Sequence, residues 1–330
     1  MNGASPELSV GLEAVRRAAR LCQHVQSGIT PEALAKKDKS PVTIADFGSQ
    51  ALICRDLMLA FPEDPVIGEE GADELRAESG TEFLERVVAE CRLAGAEAGP
   101  TEICDWIDRG GADAFSRRFW TLDPIDGTKG FLRGEQYAIS LALILDGQIE
   151  IGILGCPNLP FAEGQETGVL AWAVRGFGAW QQPLGNPDAQ PVALQVTPTS
   201  TTRELVFCES VESGHSSHGW SGQIAEDLQI HREPVRMDSQ CKYLAVARGD
   251  ADVYLRLPTR AGYEEKIWDH AGGVLLVEEA GGQVTDINGA VSDFRQGSTL
   301  AKNEGMVASN GRVHPFILQS IQRHRPAEST

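Results

Sequence analysis

With 330 residues, 42% of them hydrophobic and 23% charged, the chain is long enough to bury a large core, as two subdomains or one unusually large one, and its composition excludes a largely disordered protein. The 47 Asp and Glu against 29 Lys and Arg give a formal charge of −18, the wrong sign for gripping a nucleic-acid polymer. No apolar run approaches the ~20 residues that cross a bilayer, and seven scattered cysteines with no C-x-x-C pair read as buried thiols of a reducing, cytoplasmic setting.

Ser5-Pro6 opens a helix in which Leu8, Leu12, Val15, Ala19, Cys22 and Val25 recur at helical spacing until Gly28. Residues 36–41 read as a loop. A second helix then begins near Asp46, where a carboxylate commonly caps, and runs through Leu52, Leu57 and Leu59 to Pro62. Val66-Ile67 makes a short strand entering Gly68-Glu69-Glu70. Between Glu63 and Asp113 stand 15 acidic residues against four arginines, a net of −11. Such a run is most simply a solvated face, and residues 71–115, Ala/Gly-rich with one helical patch around Phe83, Val87 and Cys91, read as a peripheral insertion.

The most informative stretch is Asp123-Pro124-Ile125-Asp126-Gly127-Thr128, directly behind the apolar strand Arg118-Phe119-Trp120-Thr121-Leu122. Proline is excluded from a fully paired central strand and Gly127 lets the chain bend, so both aspartates belong at a strand end, projecting toward one point. Close carboxylates repel unless a cation lies between them, and hard oxygen donors suit magnesium. After this turn, residues 138–145 form a continuous apolar run joined through Asp146-Gly147 to 149–154, a hairpin signal. Strands are expected at 169–174 and 204–208, and a Pro/Gln-rich link over about 181–195 divides the chain into subdomains 1–190 and 191–330. The second half alternates: helix at 239–248, strand at 253–257, helix at 268–280, strand near 306–308.

Three acidic sets on separate turns, Glu69-Glu70, Asp123 with Asp126, and Asp269, supply the carboxylates a two-metal phosphatase needs. Taken singly, Glu69-Glu70 also reads as loop charge and Asp269 as a helix cap. His215-Ser216-Ser217-His218 has metal-like spacing but lacks the glutamate of a zinc-protease helix and reads as a polar loop. No G-x-S-x-G elbow or Walker A loop is present, which disfavours a serine hydrolase and a nucleoside triphosphatase. Lys242 falls on a helix after Ser239. Arg256 ends an apolar strand, where a lone guanidinium needs a carboxylate partner or a bound anion.

These segments resemble the lithium-sensitive, magnesium-dependent phosphatase superfamily that includes inositol monophosphatase, and within it the 3′(2′),5′-bisphosphate nucleotidase branch. The resemblance runs through Lys39-Ser40-Pro41-Val42-Thr43 to Asp46, Gly68-Glu69-Glu70, Trp120 to Tyr137, His215 to His218, Asp238 to Tyr243, Ala251 to Pro258 and Glu265 to His270, nearly the whole chain. It implies an α/β (α+β) fold, a layered αβαβα sandwich. It implies magnesium, two or three ions in roughly the two-metal arrangement, held by Glu69, Asp123, Asp126, Asp269 and the carbonyl of Ile125. Asp46 and Thr128 would activate water, and His215, Ser239, Lys242 and Arg256 would face a small nucleotide bisphosphate. The implied reaction is removal of the 3′-phosphate from adenosine 3′,5′-bisphosphate, with the sulfated nucleotide as a possible second substrate and an inositol phosphate as the alternative. A cytoplasmic monomer or weak oligomer, with neither membrane nor nucleic-acid polymer as partner, completes the expectation.

Overall fold

In the computed structural model, residues 5–29, 40–162, 164–211, 217–260 and 262–326 are described. Ser5 caps the first helix, Pro6–Ser27, its Oγ accepting from Leu8 N at 3.2 Å, and Gly28 ends it. The next helix, Ser40–Ala60, begins six residues before Asp46, so Asp46 lies inside the helix and not at its cap. Tertiary packing accounts for the difference: Val42, Ile44, Ala45 and Phe47 are all buried, which sustains a turn that Thr and Val would not hold by propensity alone.

Seven strands follow in the order β1-β2-β3-β4-β5-β6-β7: β1 Val66–Gly68, β2 Arg118–Asp126, β3 Ala138–Leu145, β4 Gln148–Pro160, β5 Thr167–Val174, β6 Ala179–Pro183 and β7 Val192–Ala193. Only β1 and β2 pair in parallel. At the β3–β4 turn Asp146 and Gly147 both have positive φ (49° and 82°), as a two-residue hairpin loop requires. The stretch read from the sequence as a link, 181–195, thus carries the last strands of this sheet. A second sheet has the order β11-β12-β10-β8-β9, with β8 Phe207–Glu209, β9 Val235–Arg236, β10 Val253–Arg256, β11 Gln283–Thr285 and β12 Met306–Ser309.

Strand alternation sorts side chains into three cores. On β3, Ile139, Leu141 and Leu143 face the helices Pro6–Ser27 and Ser40–Ala60, whereas Ala138, Ala142 and Ile144 face the helices Cys241–Arg248 and Ala271–Glu279. Tyr254, Met306 and Ala308 of the second sheet share that middle core, while Val253, Leu255 and Val307 meet Ile224 of helix His218–Asp227 and Ile317 and Ile321 of helix His314–Arg323. The result is the layered αβαβα sandwich.

The acidic stretch 71–115 is not peripheral. It forms the helices Asp73–Arg76, Thr81–Leu93 and Pro100–Asp108, and Val87, Cys91, Ile103 and Ile107 join the first core. Its charges occupy the outer faces of helices whose inner faces are apolar. All seven cysteines are buried and unpaired. Among the described residues no helix is long and apolar enough to cross a membrane.

Candidate active site

The aspartate turn is built at the C-terminal end of β2. Pairing with β3 runs Leu122↔Leu141 and Asp123↔Ser140, then skips to Asp126↔Ala138, while β1 stops opposite Leu122. Pro124 falls in this bulge, beyond the reach of β1, where its missing N–H leaves no gap in the ladder. Asp123 Oδ1 accepts from Ile125 N at 3.0 Å, and Ser49 Oγ donates to Pro124 O at 3.0 Å, fixing the corner to the helix Ser40–Ala60. Gly127 turns out in the left-handed region (φ 92°), and a Cβ there would stand 2.9 Å from the Ser239 Cβ. Thr128, Lys129 and the helix Thr128–Arg133 follow.

Gln50, one helical turn beyond Asp46 and fully buried, places the second acidic set. Its Nε2 donates to Glu70 O at 2.5 Å and to Ile107 O at 2.9 Å, while its Oε1 accepts from Glu70 N at 3.1 Å. The third set does not cap its helix: Asp269 ends the 3-10 turn Ile267–Asp269, and Ala271–Glu279 starts only after His270. Gln240 ties these segments together, its N donating to Asp126 Oδ2 at 2.6 Å and its Nε2 to Trp268 O at 2.8 Å. Gln50, Ser49 and Gln240 were not recognised from the sequence. The single available signal is an amide four residues after Asp46, one turn along the same helix.

Glu69, Asp123, Ile125, Asp126, Thr128, Arg256 and Asp269 all border one cavity of about 630 Å³. Burial, then Glu69, Asp126, Asp269 and Asp46, push the Asp123 carboxyl well above the usual carboxylate range. Burial and Glu70 raise Glu69 to about 7, and its carboxyl hydrogen-bonds that of Asp123, a contact that needs a shared proton or a cation. Burial raises Asp269 to about 7, against the opposing pull of Arg256. Asp46, half-buried, is likewise raised well above its ordinary value by desolvation and by Glu70 and Glu69. Converging carboxylates with only oxygen donors, whose ionisation burial and neighbouring acids oppose, make a site fitted to a hard divalent cation.

A smaller adjoining cavity of about 20 Å³ is bordered by Asp126, Asp269, Lys129, Lys242, Arg256 and the Ser239 turn. Ser239 itself is left-handed (φ 66°), and Lys242 Nζ donates to Ser239 O at 2.7 Å and Met237 O at 3.3 Å; burial lowers the Lys242 pKa. Arg256 Nε donates to Glu265 Oε2 at 2.8 Å and its Nη2 to Asp269 Oδ2 at 3.4 Å. The Glu265 carboxyl also meets His270 Nε2 at 3.1 Å, and His270 Nδ1 meets the Tyr243 hydroxyl at 2.8 Å. Glu265, Asp269 and His270 bring ligand atoms within 4.8 Å of one another, yet Arg256 and Tyr243 already satisfy this group, so it is a charge-compensated network. His215 lies outside the described residues.

The sequence model of the inositol monophosphatase family matches residues 5–325. A 3′(2′),5′-bisphosphate nucleotidase of Schizosaccharomyces pombe is 46% identical over 332 residues (95% of this chain, 94% of the relative), and one of Emericella nidulans is 42% identical over 336 (94% and 96%). Among solved structures, a Thermotoga maritima IMPase superposes with a TM-score of 0.64 at 19% identity (97% of this chain, 98% of that one), a likeness of fold. An inositol monophosphatase from Anabaena gives 0.61 at 19% identity (96% and 95%).

Proposed function

Because the chain belongs to the inositol monophosphatase family, we propose that it is a 3′(2′),5′-bisphosphate nucleotidase. It removes the 3′-phosphate of adenosine 3′,5′-bisphosphate to give adenosine 5′-phosphate and inorganic phosphate, in a magnesium-dependent, lithium-sensitive reaction that extends to the sulfated nucleotide. The observation that carries this reading is one cavity system with four converging carboxylates and, on the adjoining wall, Lys129, Lys242 and Arg256. One pole suits the cations, the other a second anionic group of the substrate.

Glu69, Asp123, Asp126, Asp269 and the Ile125 carbonyl would hold the magnesium. When bound, the divalent cation supplies positive charge against the phosphoryl and leaving oxygens and eases ionisation of the attacking water. Asp46, made more basic by burial and by Glu70, takes up the water proton, and the Thr128 hydroxyl orients that water in line with the scissile bond. Ser239, Lys242 and Arg256, with His215, bind the second phosphate and hold the ribose in register. The reading includes a cytoplasmic enzyme acting as monomer or weak oligomer.

The test is phosphate release from adenosine 3′,5′-bisphosphate, its sulfated form, adenosine 5′-phosphate and inositol 1-phosphate, with magnesium, with chelator, and with lithium added. The expected result is magnesium-dependent release from the two 3′-phosphorylated nucleotides, suppressed by lithium. A preference for the inositol ester, or equal release in chelator, would overturn it.

A further inference from the structure

Asp269 is one of the carboxylates that the proposed reaction assigns to magnesium, yet here its Oδ2 lies 3.4 Å from the Arg256 guanidinium. A cation resting on a ligand carboxylate competes with any metal for the same lone pairs, and repels the metal besides. The two ends of this guanidinium are held unequally. Its Nε is 2.8 Å from Glu265, which is anchored through His270 to the Tyr243 hydroxyl, all three buried. The contact to Asp269 is long and reaches a side chain 20% exposed on the cavity wall.

Resting on the phosphatase reading, we propose that Arg256 is a switch coupling the substrate's second anionic group to metal binding at Asp269. Arg256 borders the small cavity beside Ser239 and Lys242. A phosphate entering through the adjoining cavity of about 630 Å³, which Arg256 also borders, takes Nη2, while Nε stays on Glu265. The planar fork exchanges one anion for another, and Asp269 is released to the cation. A substrate carrying two phosphates thereby completes the metal site it needs, whereas one that carries only the scissile phosphate leaves Arg256 on Asp269. Discrimination between the two then operates through cation affinity as well as direct contact. Linkage makes the effect reciprocal, so bound magnesium must tighten the anion by the same factor.

The experiment is calorimetric titration of Mg²⁺ into the full chain at pH 8.5, where protons compete less, in the presence of adenosine 5′-phosphate or adenosine. Adenosine 5′-phosphate is expected to tighten Mg²⁺ roughly tenfold, a typical coupling, and adenosine to leave it unchanged. In Arg256→Gln the coupling shrinks to less than about twofold and Mg²⁺ alone binds more tightly. In Glu265→Gln, where Asp269 is left as the single carboxylate partner of Arg256, Mg²⁺ alone binds more weakly. These opposite shifts separate a switch from a packing role, which would weaken binding in both variants. Mg²⁺ binding that ignores adenosine 5′-phosphate in the natural chain, coupling undiminished in Arg256→Gln, or weakening in both variants overturns the switch and leaves the phosphatase reading standing. No Mg²⁺ binding in the natural chain overturns both.

Discussion

The carboxylate pole and the cationic wall of the cavity are built on opposite principles. At the carboxylate pole the backbone is over-determined: Ser49, Gln50, Ile125 N and Gln240, through both its N and its Nε2, hold three loops in place. The charges there oppose one another, and burial adds to the cost, as the raised pKa values of Glu69, Asp123 and Asp269 record. On the cationic wall each charge already has an answer, Arg256 in Glu265 and Asp269, Lys242 in two carbonyls. The pole is thus rigid but electrostatically incomplete, and the wall is complete but exchangeable. A cation fills the first; an anion must displace partners in the second.

The sharpest way to break this comparison is at the pole. Asp126→Asn keeps the size of the side chain and can still meet Gln240 N through its amide oxygen, so the thermal midpoint should stay within a few degrees. Turnover should fall on the order of 10³-fold, about 4 kcal/mol of lost transition-state stabilisation. Steady-state phosphate release together with a melting curve checks it, and near-normal kcat would remove Asp126 from the reacting centre. A smaller effect is expected at the wall. Arg256→Ala should raise KM for the bisphosphate by roughly tenfold, about the worth of one charge-assisted contact, and raise it less for a nucleoside 3′-monophosphate. Parallel KM measurements test this, and equal increases would detach Arg256 from the second phosphate.

Much of the pole was legible from residue order because its chemistry breaks local rules. Two acids beside a proline and a glycine behind Phe119-Trp120 are costly unless used, and that conflict is visible without coordinates. The supports were not legible. A lone glutamine such as Gln50 or Gln240 has no periodicity, and its partners lie 20, 57 or 114 residues away. The burial of residues 71–115 is not legible in the sequence because their apolar positions are shared among three short helices and diluted by glutamates. For Asp46, the carboxylate suggests a helix start, whereas the burial of Val42 and Ile44 decides where the helix begins. The pairing of Arg256 with Glu265 was anticipated as the need for an anionic partner, while the identity of that partner awaited the fold.

The central claim is that the pole is incomplete without a divalent cation, and its most direct test is thermal unfolding against pH, in chelator and in magnesium. Glu69 and Asp269 hold folded-state pKa values of about 7 against ordinary values of 4.5 and 3.8. The folded state therefore binds more protons than the unfolded one, and that contribution is complete below about pH 4 and is lost as the pH rises through 7. His314, lowered to about 4 by burial, acts in the opposite sense below 6.5, and the buried cysteines, raised above their ordinary 9.0, add a fall only as the unfolded thiols ionise toward pH 9, so the window from pH 6.5 to 7.5 isolates the carboxylates. In chelator the unfolding midpoint should drop by several degrees across that window, the equivalent of roughly 1–3 kcal/mol after allowance for solvent screening, and saturating magnesium should flatten the slope. A midpoint that is flat in chelator, or that magnesium leaves unchanged, would contradict the account.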